Sequence, residues 1–406
     1  MEDEIIRLCS LQDNQFTSIN INFIPFYMTR PSKHTLKFLI LTTILIPLLS
    51  IDCFSESLPI QFAGFAFRGD FASIKLNYPY TYDLSLKTTP KGQNLLDKKL
   101  YDHLKSVKLK NAHFINGKLS ELNDNVLVLA CCLDNETITS DKYEKGYKIV
   151  IDLGAQLLLF EYTSFKLIAC YPFTIELIDF KETKPTDEYF KNCISTLLLS
   201  NKYNVNLFNE CAQLLNKITL HRFYGGNIKI TKVVVEDRAK PFLPKRFSHN
   251  LSSFKSFVAQ GFGKYLSKNQ QVSIFPYTKG YAIGNKMALR FSNAEVFQLQ
   301  IPEPQFSVEL YVRGFKKVLI DRKPAGESWV YGSFVRVLIT QPLLNKVYLN
   351  KKVKYGVTKI IPSMQKISSD WPVFQESLLS LFNKLTEDFS TKSEFQQVRE
   401  VFNRCK

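Results

Sequence analysis

The sequence predicts an α+β protein: two tandem mixed-sheet domains with helices on one face of each sheet, preceded by a signal peptide. Three observations lead there. A basic and then apolar leader occupies residues 28–49, and apolar runs of strand length alternate with helical spacing along the remainder. The order strand, helix, several strands, helix also occurs twice, as expected of two sheet-and-helix layers in series.

The leader begins at Met28. Arg30, Lys33 and Lys37 precede the twelve mostly apolar residues Phe38 to Leu49, and a polar stretch follows from Ser50 to Ser57. This is the layout of a secretory signal: basic start, short apolar centre, small residues near a cut. A membrane-spanning helix needs roughly 20 apolar residues, whereas Pro47 and Asp52 interrupt this run. Cleavage after Ser55 is expected, with a retained anchor helix reaching Phe54 as the alternative. Lipidation at Cys53 is a further alternative, although Asp52 stands where lipoprotein signals carry a small neutral residue. Residues 1–27 then form an upstream extension, 28–55 the signal, 56–222 the first α+β domain and 223–406 the second.

Composition sets bounds on the body of the chain. Hydrophobic content of 45% and charged content of 22% are globular values, not those of a disordered chain. The first 55 residues hold four Lys/Arg and five Asp/Glu, leaving 49 cations against 32 carboxylates, so the body carries +17 where the whole chain carries +16. A charge of that sign favours polyanionic neighbours and says nothing about fold. Beyond Cys9 and Cys53, the body holds Cys131, Cys132, Cys170, Cys193, Cys211 and Cys405. No C-x-x-C occurs, Cys170 and Cys193 sit in apolar patterns as buried thiols, and adjacent Cys131 and Cys132 point to opposite faces of a strand.

In order, Ile60–Phe67 reads as a strand, followed by a polar loop containing Pro79, Pro90 and Gly92. Leu96, Leu100, Leu104 and Val107 share one helical face. Asn125–Leu133 is a continuous apolar run, the pattern of a central strand. Tyr147–Leu159 and Lys166–Phe180 are two more strands around a Thr163-Ser164 turn. Helices are expected from Thr186 to Leu199 and from Leu207 to Leu220, the latter stopped by Gly225-Gly226. The second round opens with the strand Asn227–Val235. A helix capped by Ser252 or Ser253 then carries Phe254, Phe257, Val258, Phe262 and Tyr265 on one face. Val272–Phe275, Met287–Leu299, Phe306–Val312, Trp329–Ile339 and Val347–Leu349 read as extended. Asp370 and Pro372 start a closing helix with Phe374, Leu378, Leu381, Phe382, Leu385 and Phe389 inward.

Several of these pieces carry a family resemblance. They are the strand Ile228–Val235, the helix Phe254–Leu266 running into GKYLSKNQQVSIF, the strand QFSVELYVRGF, the hairpin VRVLITQPLLNKVYLNKKV and the helix WPVFQESLLSLFNKL. Residues 228–389 resemble the periplasmic α+β domain of curli-transport and penicillin-binding-protein-activator lipoproteins, which is similar to the amino-terminal domain of the Tol-Pal propeller protein. The resemblance implies an envelope protein that binds other proteins through an exposed sheet edge or hairpin tips. It covers a layout of strands and helices, with no catalytic signature.

The chain has no G-x-S-x-G elbow, no G-x-x-x-x-G-K-[ST] loop and no H-E-x-x-H helix. Its histidines (His34, His103, His113, His221, His249) are scattered, and His103 falls on the polar side of its helix. Glu236 and Asp237 are adjacent and point apart, which does not suit joint acid–base work. No cofactor or metal is expected. Asn135 and Asn250 begin Asn-x-Ser/Thr acceptor triplets, which matter only in a eukaryotic secreted protein. Basic residues cluster at Lys316-Lys317, Arg322-Lys323 and Lys351-Lys352 with Lys354, at expected hairpin ends beside Phe315, Trp329, Tyr348 and Tyr355. Interleaved cations and aromatics suit a nucleic-acid or glycan surface. Lysines guarding exposed strand edges are the structural alternative.

The expected function is therefore an exported, non-enzymatic protein of the periplasm or envelope, a scaffold or assembly accessory binding envelope proteins or anionic envelope components. The alternatives are a module for lipid headgroup, glycan or nucleic acid, and a hydrolase whose carboxylates meet only in the fold. Nucleic acid becomes a partner only if export fails.

Overall fold

The computed structural model describes residues 57–69, 71–115, 126–143, 146–277, 286–291, 295–363 and 369–406. The leader, residues 1–27, Cys9, Cys53 and His34 lie outside them. Glu56–Lys406 is one compact unit. The fold is α+β, with two mixed sheets and helices.

The first half runs β1 (Leu58–Arg68), α1 (Phe71–Asn77), α2 (Pro79–Ser85), α3 (Leu95–Leu104), β2 (Ala112–Ile115), β3 (Leu127–Tyr143), β4 (Gly146–Glu161), β5 (Leu167–Lys181), α4 (Asp187–Leu199) and α5 (Leu207–Lys217). The second half runs β6 (Ile228–Val235), α6 (Lys245–Ser248), α7 (Leu251–Gln270), β7 (Ile274–Phe275), β8 (Lys286–Phe291) and β9 (Val296–Gln300). It continues with β10 (Phe306–Lys323), β11 (Gly326–Gln341), β12 (Lys346–Pro362), α8 (Trp371–Thr391) and α9 (Gln396–Arg404).

Both halves use the same strand plan. In the first, β1 is parallel to β2 and β3, and β3–β4–β5 is an antiparallel meander. In the second, β6 is parallel to β7 and β10, and β10–β11–β12 is the meander. The correspondence reaches single residues. After the last paired residues of β1 and β3, Phe67 and Leu133, come Arg68 and the bulged Asp134, which form an ion pair. After Val235 and Val312 come Glu236 and the bulged Arg313, 3.8 Å apart. The position is the same and the signs are exchanged.

Within this single unit, the strands of the first plan precede residue 222 and those of the second follow it, with one exchange. β8 and β9 lie beyond it in sequence yet extend the first sheet, where β8 pairs antiparallel with β1. Met287–Leu299, which reads as one extended run, is thus a hairpin seated on the other half's sheet. Its Met287, Leu289 and Leu299 join Ala66, Val128, Ala130, Cys132 and Phe160 in a core on that sheet's second face. The first face packs on the helices of its own half. Burial on both faces explains the unbroken apolar runs of β3 and β4. Cys131 belongs to one face's core and Cys132 to the other's, as their adjacency predicts, and the six described cysteines are buried free thiols.

Among the described residues, the second sheet is covered on one face, by α7, α8 and α9. Its strands outrun the sequence expectation by as many as thirteen residues at one end: the expected strand ends at Leu349, while β12 continues to Pro362 with only partial burial of Val353 and Val357 on its covered face. Backbone pairing continues the ribbon where burial no longer marks it: β10 residues 318–323 are exposed on both faces.

Local signals explain most helix starts. Asn94, Thr186 and Asn206 accept backbone N–H bonds at the heads of α3, α4 and α5. At α7 the cap is Asn250, whose side chain accepts from Ser253 N at 3.2 Å, and not Ser252 or Ser253. The loop expected around Pro79 instead holds α1 and α2, with Pro79 in the first turn of α2, where its missing N–H costs nothing. Glu136 of β3 accepts from Tyr80 N and Thr81 N at 3.0 and 2.9 Å and holds that helix head on the sheet.

Gly64 breaks the β1/β3 register at φ +110°, and a Cβ there would meet Asp97 Oδ1 at 2.6 Å. That carboxylate accepts from Phe65 N at 2.7 Å. Gly64→Ala is expected to cost about 1–3 kcal/mol from backbone strain alone, read as a lower denaturant midpoint at unchanged slope. An unmoved midpoint would mean the bulge relaxes freely.

Candidate functional site

The seven basic residues singled out by sequence all lie on the second sheet, but only Arg322 and Lys323 sit at a hairpin end. Lys316 and Lys317 are inside β10, and Lys351, Lys352 and Lys354 inside β12. The pleat then divides them. Lys317 faces the helices, bonded to Asp370 Oδ1 at 2.7 Å with Tyr331 O–H on the same oxygen at 2.7 Å. Burial lowers its pKa, yet the bond to Asp370 and the other contacts outweigh that and raise it overall. Asp370 stands before α8 as expected, but its carboxylate serves Lys317 and makes no cap bond. Arg322 pairs with Glu327 at 2.7 Å, Lys323 with Asp321 at 3.2 Å, and Lys351 with Glu394.

Lys316, Lys352 and Lys354 remain. Each is exposed, and among the described residues none is in an ion pair. Register places Lys352 beside Arg336 and Lys354 beside Phe334 on the sheet's open face, with Arg336 5.0 Å from the centre of the Tyr311 ring. Of the aromatics expected around these clusters, Trp329 takes Lys317, 4.6 Å from its ring centre, while Phe315 and Tyr348 are core residues. Among the described residues β12 is also an edge strand, paired with β11 alone, and its 17 residues carry five lysines and no carboxylate.

A second feature was not legible in sequence. A groove of about 830 Å³ lies between β3–β5 of the first sheet and the helices α7 and α8. Asp141, Lys148 and Glu176 line its sheet wall, and Lys264, Ser267 and Lys268 its α7 wall. No ion pair closes among these charges within the described residues; Lys264 Nζ instead donates to Thr174 Oγ1 at 2.8 Å. Alongside, Asp134 accepts from Gln156 and from Gln260 of α7, both at 2.9 Å, so the sheet–helix seam is polar. These residues alternate with apolar ones along edge and central strands and read as solvent positions, so no motif announces them.

Burial and then the Asp152 charge raise the Glu176 pKa against the pull of Lys264 and Lys148; burial raises Asp152 as well. A carboxyl with a folded pKa above its unfolded one binds protons preferentially when folded. Stability therefore rises as pH falls from above the folded value to below the unfolded one. Glu176→Gln is expected to flatten the stability–pH curve across that mildly acidic window; a slope identical to the parent's would remove Glu176 as a contributor.

Among the described residues no cluster of three or more His, Cys, Asp or Glu could hold a metal, and no helix is long and apolar enough to cross a membrane. His103 is half-buried against Phe208, ring centres 6.4 Å apart, with burial lowering its pKa, and is not simply solvated. Glu236 pairs with Arg238 and Asp237 with Lys240, each engaged separately.

No family model matches this chain, and no curated protein does. Solved structures similar to it include a neuraminyllactose-binding hemagglutinin homologue from Helicobacter pylori, at 8% identity and TM-score 0.27, covering 43% of this chain and 91% of that one. A minor lipoprotein from Acinetobacter baumannii matches at 12% identity and TM-score 0.20, covering 42% and 94%. A DUF330-family protein from Xanthomonas campestris matches at 7% and 0.22, covering 46% and 94%. TM-scores this low establish neither family nor fold. None of the three is named for curli transport or penicillin-binding-protein activation, so that resemblance rests on the layout of residues 228–389 alone.

Proposed function

We propose that this chain is an exported, non-enzymatic envelope protein, a scaffold or assembly accessory that takes an acidic, extended segment of another envelope component along β12. The observation that carries this reading is the β12 edge, with five lysines and no carboxylate over 17 residues. An unpaired edge offers backbone groups to a further strand. Like charges oppose pairing of β12 with a second β12, while an acidic strand would satisfy the backbone and the unpaired lysines, Lys351 and Lys359 being already held by Glu394 and Glu376. Lys352 and Lys354 point to the open face beside Arg336 and Phe334, and Lys316 adds a third unpaired cation there.

The same three lysines favour a second reading, a polyanion surface for lipid headgroup, glycan or nucleic acid. Both are tested with the triple variant Lys316→Glu, Lys352→Glu, Lys354→Glu. The probes are a labelled oligoglutamate peptide and, separately, phosphatidylglycerol vesicles, at low and physiological salt. The first reading expects peptide binding that falls by about tenfold or more in the variant, together with protection of β12 amides from exchange. Vesicle binding without peptide binding would move the function to the second reading. Binding of neither would sink both. Export is checked by the intact mass of the envelope pool, expected to begin near Glu56.

A further inference from the structure

We propose that the groove between the first sheet and helices α7 and α8 binds a short peptide with free termini, its carboxylate held by Lys264 and Lys268 and its ammonium by Glu176 and Asp141. The site is distinct from the open face of β12, and Glu376 of its α8 wall is joined to that strand by an ion pair with Lys359 at 2.9 Å.

The volume, about 830 Å³, falls in the range of specific small-ligand sites. Its charge pattern points to a dipolar occupant. Lys264 and Lys268 stand one helical turn apart on α7, while Glu176 and Asp141 belong to the facing sheet wall. Opposite charges lining one cleft would ordinarily close into ion pairs. Among the described residues Lys264, Lys268, Glu176 and Asp141 do not, and Lys264 settles on a neutral hydroxyl; Glu376 of the α8 wall pairs outward with Lys359. Both walls carry mixed charge, with Lys148 beside Asp141 on the sheet and Glu376 on α8. A ligand with both an ammonium and a carboxylate thus finds a partner for each end, with Glu176 and Asp141 opposite Lys264 and Lys268.

Two observations favour a peptide among dipolar molecules. β5 is the edge strand of its sheet, pairing with β4 alone, so its outer backbone groups lie beside the groove for main-chain bonding. Apolar surface for a side chain is also present: Ile178 of β5 lines the groove yet stays 57% exposed, opposite Leu379 of α8. The Ser267 hydroxyl, between the two lysines, is buried without a hydrogen-bond partner, a donor left to be satisfied when the site fills.

The test is equilibrium dialysis of the purified chain against a mixture of Ala-Xaa-Ala tripeptides, Xaa varied over all side chains, with mass-spectrometric readout. Amino-acetylated and carboxyl-amidated versions run in parallel. Saturable retention of free tripeptides is expected, weakened about tenfold or more by either block, the loss for one charge-assisted bond. Glu176→Gln should weaken the free peptides and leave the acetylated ones unchanged; Lys268→Gln should do the same for free against amidated ones. Circular dichroism confirms that both variants fold. No retention at millimolar peptide, or retention indifferent to the blocks and to both variants, would overturn the proposal.

Discussion

Arg68→Met is expected to destabilise the protein by about 3–5 kcal/mol, the range for removing one partner of a buried ion pair. Asp134, 5% exposed, accepts from Arg68, Gln156 and Gln260 at once. Arg68 Nη2 also donates to Tyr277 O at 2.9 Å. The pair thus ties β1, β3, β4 and α7 at the seam between the halves, and methionine would leave a buried carboxylate with only two neutral amide donors. The double variant Arg68→Met, Asp134→Leu separates causes, because it removes the uncompensated charge and keeps the volume. It is expected to recover most of the loss. Denaturant unfolding of both variants checks this, and a single-variant loss below about 1 kcal/mol would show that solvent reaches Asp134 freely.

Phe382→Ala is expected to cost about 3–5 kcal/mol as a large-to-small change in a closed core. Phe382 of α8 is fully buried and meets Phe262 of α7 edge-on, ring centres 5.4 Å apart at 88°. Next to it, a Cβ on Gly261 would lie 2.8 Å from the Leu379 Cδ2 methyl, so side chains of α8 already fill the space against α7. Little collapse can refill the space. Since α8 forms one wall of the groove, the same variant should also weaken any groove ligand without touching it. A loss under about 1 kcal/mol would mean the helices repack around the gap.

Most of the secondary structure was legible because burial imposes a period. Leu96, Leu100 and Leu104 recur every four residues and are all buried in α3; Phe374, Leu378 and Phe382 do the same in α8. The misses share a cause: the period was absent or ambiguous. α1 and α2 are seven residues each, too short to establish one. The outer part of β10 has no buried face, and in the outer part of β12 lysines interrupt an only half-buried alternation. At α7 both Asn250 and the serines are good caps by residue type, and the fold uses Asn250.

Sequence alone determined the α+β class, the repeated order of elements, the opposed faces of Cys131 and Cys132, and the basic character of the second sheet. Each follows from neighbours in the chain, through strand pleat, helix period or charge. Tertiary structure decided which sheet receives β8 and β9, which lysines are neutralised, and where a groove opens. Those depend on partners far away in sequence: Lys317 is quenched by Asp370 and Lys351 by Glu394, while Lys352, adjacent to Lys351, points to the other face and stays free. A charge is read from one residue, but its availability is set by whatever the fold brings to within about 4 Å of it.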